Sequence, residues 1–168
     1  MKNMVHPGRC RLRRALGAVL LAVCSAAQAQ DACEVAMTAG VNFGNLAVLS
    51  VPGHQDSNGS ITVTCTGADR TVNYTIGLNE GAGSGATVAE RKMQRVGGGG
   101  DQLSYSLYIS SSREAAWGNE AGTWLSGSLS VSNDNGSKSH FVYGRVIGNQ
   151  STVRPGSYTD SVTITVTY

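Results

Sequence analysis

Apolar and polar residues alternate with a period of two along several stretches of the chain, the pattern of strands that bury one face. Ile61, Val63 and Cys65 alternate with Thr62 and Thr64. Val72, Tyr74, Ile76 and Leu78 alternate with Asn73, Thr75 and Gly77. Leu103, Tyr105, Leu107 and Ile109 alternate with Ser104, Ser106 and Tyr108. Between Phe141 and Ile147 both faces carry apolar residues, which suits a strand in the middle of a sandwich. The cleanest alternation is the last. Tyr158, Val162, Ile164, Val166 and Tyr168 share one face, and Thr159, Ser161, Thr163, Thr165 and Thr167 share the other. A first strand near Cys33–Met37, broken before Val41–Phe43, brings the set to about six main strands. Turn signals fall between them at Asn58-Gly59, Gly67-Ala68-Asp69, Gly97–Gly100, Asn133–Gly136 and Pro155-Gly156. No segment carries a helical period with caps. The pattern predicts an all-β protein, an immunoglobulin-like β-sandwich. The glycine-rich stretches Gly81–Gly85 and Gly97–Gly100 read as long, mobile connections flanking Arg91-Lys92-Met93.

The amino-terminal segment has a different character. Lys2, Arg9, Arg11, Arg13 and Arg14 precede a short apolar run from Ala15 to Ala26, and Ala27-Gln28-Ala29 is a small-x-small cleavage site. This predicts an export signal at 1–29 and a single mature domain at 30–168. The apolar run is too short for a stop-transfer helix, and no second run of spanning length follows, so no direct membrane insertion of the mature chain is expected. Leu21-Ala22-Val23-Cys24 loosely matches a lipoprotein box with lipid on Cys24, although Val before the Cys fits poorly.

Removing the leader changes the charge. It holds five of the thirteen Lys and Arg and none of the eleven Asp and Glu, leaving eight basic against eleven acidic groups, a net of −3. No Lys/Arg cluster remains, so a nucleic-acid partner is not expected. Cys10 and Cys24 leave with the leader, and Cys33 and Cys65 remain as an even pair in an exported chain. The simplest reading is one disulfide. Closing a loop of about 30 residues would contribute roughly 3–4 kcal/mol on chain-entropy grounds.

Candidate chemistry is sparse. His54 and His140 lack Cys, His or carboxylate partners at metal-ligand spacing. No serine stands in a nucleophile-elbow context. Gly81-Ala82-Gly83-Ser84-Gly85 follows a predicted strand but opens no helix, so a hairpin loop is preferred to a dinucleotide site. Asn133-Asp134-Asn135 lacks the closing Glu of a calcium loop and reads as a tight turn. No cofactor is expected, and no enzymatic activity. Trp117 and Trp124 are either core plugs under a loop or an aromatic carbohydrate-binding face.

The carboxyl-terminal strand raises a question of closure. A closed immunoglobulin-like sandwich has about seven strands. If a strand is missing, an apolar trench lies beside the last one. About four unburied side chains at roughly 1.5–3 kcal/mol each would then forfeit on the order of 5–10 kcal/mol, comparable with the stability of a domain. A strand from elsewhere would fill the gap by strand addition. The alternation alone leaves this reading and a complete sandwich with a central last strand equally open.

Several short motifs bear on the choice. They are Cys33 with Phe43-Gly44, Ile61-Thr62-Val63-Thr64-Cys65, Arg91-Lys92-Met93, Leu103-Ser104-Tyr105-Ser106-Leu107-Tyr108, Trp117-Gly118, Tyr143-Gly144-Arg145, and the ending from Gly156 to Tyr168 with its Gly-x-Tyr-x-Asp start. In this order the set resembles the spore coat protein U domain family, which includes subunits of archaic chaperone–usher pili. The resemblance implies an incomplete immunoglobulin-like fold lacking its last strand, and a Cys33–Cys65 bond. It also implies a periplasmic pilus chaperone that lends a strand, an outer-membrane usher, and other pilus or coat subunits as partners. The acceptor groove would lie along Val162, Ile164, Val166 and Tyr168, with Val35 and Met37 opposite. One departure stands out: cleavage after Ala29 leaves only Gln30, Asp31 and Ala32 before Cys33. A donor strand needs roughly ten residues spanning about 33 Å. The expectation is therefore a subunit that accepts a strand without donating one, periplasmic and then at the cell surface. The alternative is a secreted adhesin or carbohydrate-binding module with a complete sandwich.

Overall fold

The computed structural model describes residues 32–46 and 53–168. The predicted leader at 1–29, with Cys24, and the Gln30-Asp31 start of the mature chain lie outside the described residues. The fold is all-β, two antiparallel sheets packed as a sandwich. Nine strands are present in the described residues: β1 (Ala32–Ala39), β2 (Gln55–Thr66), β3 (Arg70–Leu78), β4 (Arg91–Arg95), β5 (Gln102–Tyr108), β6 (Leu125–Val131), β7 (Gly136–Val146), β8 (Tyr158–Thr159) and β9 (Ile164–Thr167). One sheet has the order β1-β2-β7-β5-β4-β8, and the other β6-β3-β9.

The alternation along β2, β3 and β5 places its apolar members as expected. Ile61, Val63, Cys65, Val72, Tyr74, Ile76, Leu78, Leu103, Tyr105 and Leu107 are all buried. Val142 and Val146 on β7 complete the large sheet's inner face, while Phe141 points outward. Gly144 holds an inward slot on β7 where a Cβ would meet Val41 and Phe43, so the segment after β1 lies directly over it. A disulfide joins Cys33 to Cys65, and the two are directly opposite in the β1–β2 ladder.

Two strands are absent from the alternation. On β4, Arg91 occupies an inward position and is fully buried. On β6, Gly127 sits where a Cβ would lie 2.7 Å from the Tyr74 ring, so an apolar side chain there is sterically excluded. The glycine-rich stretch before β4 is also not a free connection. Ala82 N–H donates to Asp160, Gln94 donates to the Ala82 carbonyl and Gln102 to the Ser84 carbonyl, pinning the loop against β4 and β5. Asn133 and Asp134 both adopt positive φ in the turn from β6 to β7, and Ser132 pairs with Asn135 across it, a type I′ pattern.

The terminal strand differs most from its expected form. It is divided: β8 is an edge of the large sheet beside β4, and β9 is an edge of the small sheet beside β3. The chain changes sheets between Asp160 and Thr163, so period-two alternation continues in sequence across a corner in space.

Candidate functional site

The two sheets meet differently along their two sides. On one side β6 runs closely against the start of β7, where a Cβ on Gly136 would collide with the Ser130 carbonyl. On the other side β1 and β9 lie beside each other without a hydrogen-bonded ladder. Among the described residues β1 is laddered only to β2, and β9 only to β3. Each therefore presents one free backbone edge to a shared seam.

The residues expected to line a groove are distributed along this seam. Val35 on β1 and Ile164 and Val166 on β9 are half-buried, as is Val162 just before β9, and all four pack against the core. Met37 is 50% exposed and Tyr168 55%. The structure thus brings the β1 set and the β9 set to adjacent strands, with Met37 and Tyr168 the most open members. The disulfide anchors one end of β1, and a register shift between Met37 and Ala39 marks the other.

The position of β9 depends on a polar cluster at the corner. Asp160 Oδ1 accepts hydrogen bonds from Ala82 N–H and Ser161 N–H, both at 2.8 Å. Its Oδ2 accepts from the buried Tyr105 hydroxyl at 2.7 Å. Burial first, and then the neighbouring carboxylate, push the Tyr105 phenol far above its ordinary pKa. Asn79 continues the β3–β9 pairing by one residue: its N–H donates to the Thr163 carbonyl, and its side-chain Oδ1 accepts from Thr163 N–H. The side chain substitutes for the main chain because the Asn79 carbonyl already accepts from Arg91 Nε at 2.9 Å.

Arg91 is the centre of that arrangement. Its guanidinium donates to four carbonyls, those of Asn79, Val88, Leu78 and Trp117. Burial lowers its pKa, opposed by the nearby Tyr105, Asp160 and Glu80. Trp117 is fully buried beside it and donates its indole N–H to the Ile76 carbonyl at 2.8 Å. Trp117 is therefore a core plug, while Trp124 remains 37% exposed. Of this cluster, Asn79 had no sequence signal. Arg91, Trp117 and Asp160 fall inside the motifs quoted above, without those motifs indicating what they hold.

The histidines have local roles. His54 Nδ1 accepts from Gly148 N–H. His140 Nε2 is 2.7 Å from the Tyr74 hydroxyl and its ring meets that of Tyr74 edge-on, so the pair bridges the two sheets. Burial lowers the His140 pKa, helped by the charge of Lys138. Among the described residues no group of three or more His, Cys, Asp or Glu is placed to hold a metal ion.

A disulfide-tied β-sandwich with a seam between its first and last strands, and with an Arg–Trp–Asp cluster setting the last strand's course, defines the class. The chain belongs to the Spore Coat Protein U domain family, whose model matches residues 19–165. It is similar to Protein U of Myxococcus xanthus, with 36% identity over 149 residues, covering 82% of this chain and 78% of that protein. The family is associated with pilus and coat subunits.

Proposed function

We propose that this protein is an exported, non-enzymatic structural subunit of a pilus or surface coat, and that it accepts a strand from a partner in the seam between β1 and β9. One observation carries the reading: two edge strands, each with one unladdered side, lie beside each other over partly buried apolar residues. Leaving Val35, Val162, Ile164 and Val166 only partly buried forfeits up to about a third of the ~1.5–3 kcal/mol that full burial of each would return. The total is up to roughly 2–4 kcal/mol, set against a domain's ~5–15 kcal/mol. An extended donor would recover it, with main-chain bonds to the edges and side chains in alternate pockets.

In this reading the first donor is a periplasmic chaperone, an outer-membrane usher is the assembly platform, and neighbouring subunits replace the chaperone's strand. Family membership and the likeness to Protein U support a surface or coat role. The test is co-expression with a periplasmic pilus chaperone, read by amide hydrogen exchange. A one-to-one complex is expected, with protection gained at Val35, Met37, Ile164 and Val166, and Val166→Glu should abolish it. A monomer whose β1 and β9 edge amides are already protected without a partner would overturn the proposal.

A further inference from the structure

The solvent face of the large sheet is mostly Ser and Thr, with Thr62 and Thr64 on β2 and Ser137 and Ser139 on β7. Against that background Phe141 is 63% exposed. Its ring lies 6.1 Å from that of Tyr143, tilted by 44°. In the ladders Tyr143 stands between Asn58 on β2 and Tyr108 on β5. The Arg113 guanidinium caps the Tyr143 ring at 5.7 Å.

Arg113 is held there at some conformational cost. Its φ is 55°, in the left-handed region that non-glycine residues rarely occupy. Its guanidinium donates to the Ser111 carbonyl, the Gly144 carbonyl and Asn58 Oδ1. Its Nη1 also lies 3.4 Å from Asp56. Arg145 forms a two-pronged pair with the same carboxylate, Nε to Oδ1 at 2.7 Å and Nη2 to Oδ2 at 2.9 Å. The Arg145 hydrogen bond first, and the Arg113 charge, hold the Asp56 carboxyl below its ordinary pKa.

Two guanidiniums thus share one carboxylate, leaving the cluster with one excess positive charge. Arg145 Nη1 and the Asn58 amide nitrogen have no protein partner among the described residues. Both are donors without accepting capacity. A complementary ligand carries negative charge and acceptor oxygens, and has an apolar face to lie on the exposed Phe141 ring. A pyranose ring bearing a carboxylate combines these: its C–H face stacks on the ring and its carboxylate meets the planar donors.

We propose that Phe141, Asn58 and Arg145, held in place by Tyr143 and Arg113, form a binding site for an acidic polysaccharide, with a hexuronic acid as the recognised unit. The site faces away from the β1–β9 seam and does not depend on strand acceptance. The test is calorimetric titration of the oxidised protein, with any partner needed to keep it soluble, using oligogalacturonate and, in parallel, cello-oligosaccharide of equal length. The acidic sugar is expected to bind at least about 10-fold more tightly, and increasingly weakly as salt is raised. Phe141→Ser, which matches the sheet's other outward residues, should weaken binding about 5-fold or more with an unchanged melting midpoint. Arg145→Gln, which removes the open Nη1 donor, should erase the preference for the acidic sugar. No binding, equal binding of the neutral sugar, indifference to Phe141→Ser, or equally tight binding of polyglutamate would each overturn the assignment.

Discussion

Replacing Asp160 by Ala removes the acceptor for three donors at the corner where the chain changes sheets. The costs differ by donor. Ala82 is exposed and Ser161 is exposed, so water replaces the carboxylate at their N–H groups, at about 0.5–1.5 kcal/mol each. Tyr105 is only 4% exposed, and its hydroxyl would be left without a partner, at about 1–3 kcal/mol. The expected destabilisation is about 3–4 kcal/mol. Tyr105→Phe alone removes one bond to a charged acceptor and should cost about 2 kcal/mol. In the Asp160→Ala background the same change removes an orphaned hydroxyl, so it should be neutral or stabilising. The assay is urea unfolding of the four oxidised proteins, all in the same state of association, analysed as a double-mutant cycle. A coupling energy near 2 kcal/mol is expected. Coupling below about 0.5 kcal/mol would show that the 2.7 Å contact does not support the corner, and the account of how β9 is placed would fail.

Arg91→Met should prevent accumulation of folded protein, because four carbonyls, those of Leu78 and Trp117 buried and those of Asn79 and Val88 partly so, lose their donor together; recovery of the oxidised soluble chain reports it, and Arg91→Lys should rescue poorly for want of the planar fork. His140 has a lowered pKa in the folded state, so below about pH 6.5 the unfolded chain binds the extra proton and stability should fall as pH falls; His140→Gln should flatten that dependence in pH-resolved melting curves. The buried Tyr105 phenol is raised, so its contribution is intact below about pH 10 and lost above it; Tyr105→Phe should be relatively less destabilising at pH 11 than at pH 8. Reducing the Cys33–Cys65 bond should cost about 3–4 kcal/mol and loosen β1 first, seen as faster amide exchange at Val35 and Met37 than on β3.

The sandwich was legible wherever one face of a strand is uniformly greasy, as on β2, β3 and β5. It was illegible where an inward position is filled by something other than an aliphatic group. On β4 that position is Arg91, whose guanidinium is hydrogen-bonded to carbonyls rather than to a carboxylate, a solution no hydropathy pattern displays. On β6 it is Gly127, emptied to admit the Tyr74 ring. The division of the last strand was hidden for the opposite reason: alternation survives a corner, and only the side chain of Asp160 marks where the corner falls. For the seam, Val35, Met37, Val162, Ile164, Val166 and Tyr168 were named from the terminal pattern together with the family likeness. Residue spacing alone could not show that their two strands would lie side by side without pairing. The aromatic–guanidinium cluster was invisible because Asp56, Arg113, Phe141 and Arg145 lie on three separate segments.

The pairing of β3 with β9 also sets a timetable. Leu78 finds its partner in Ile164, and Thr75 in Thr167, so the small sheet lacks one of its three members until the segment at 164–167 has been delivered. Contacts so distant in sequence form late. Until that pairing forms, the earlier strands keep a bare margin, vulnerable to mispairing.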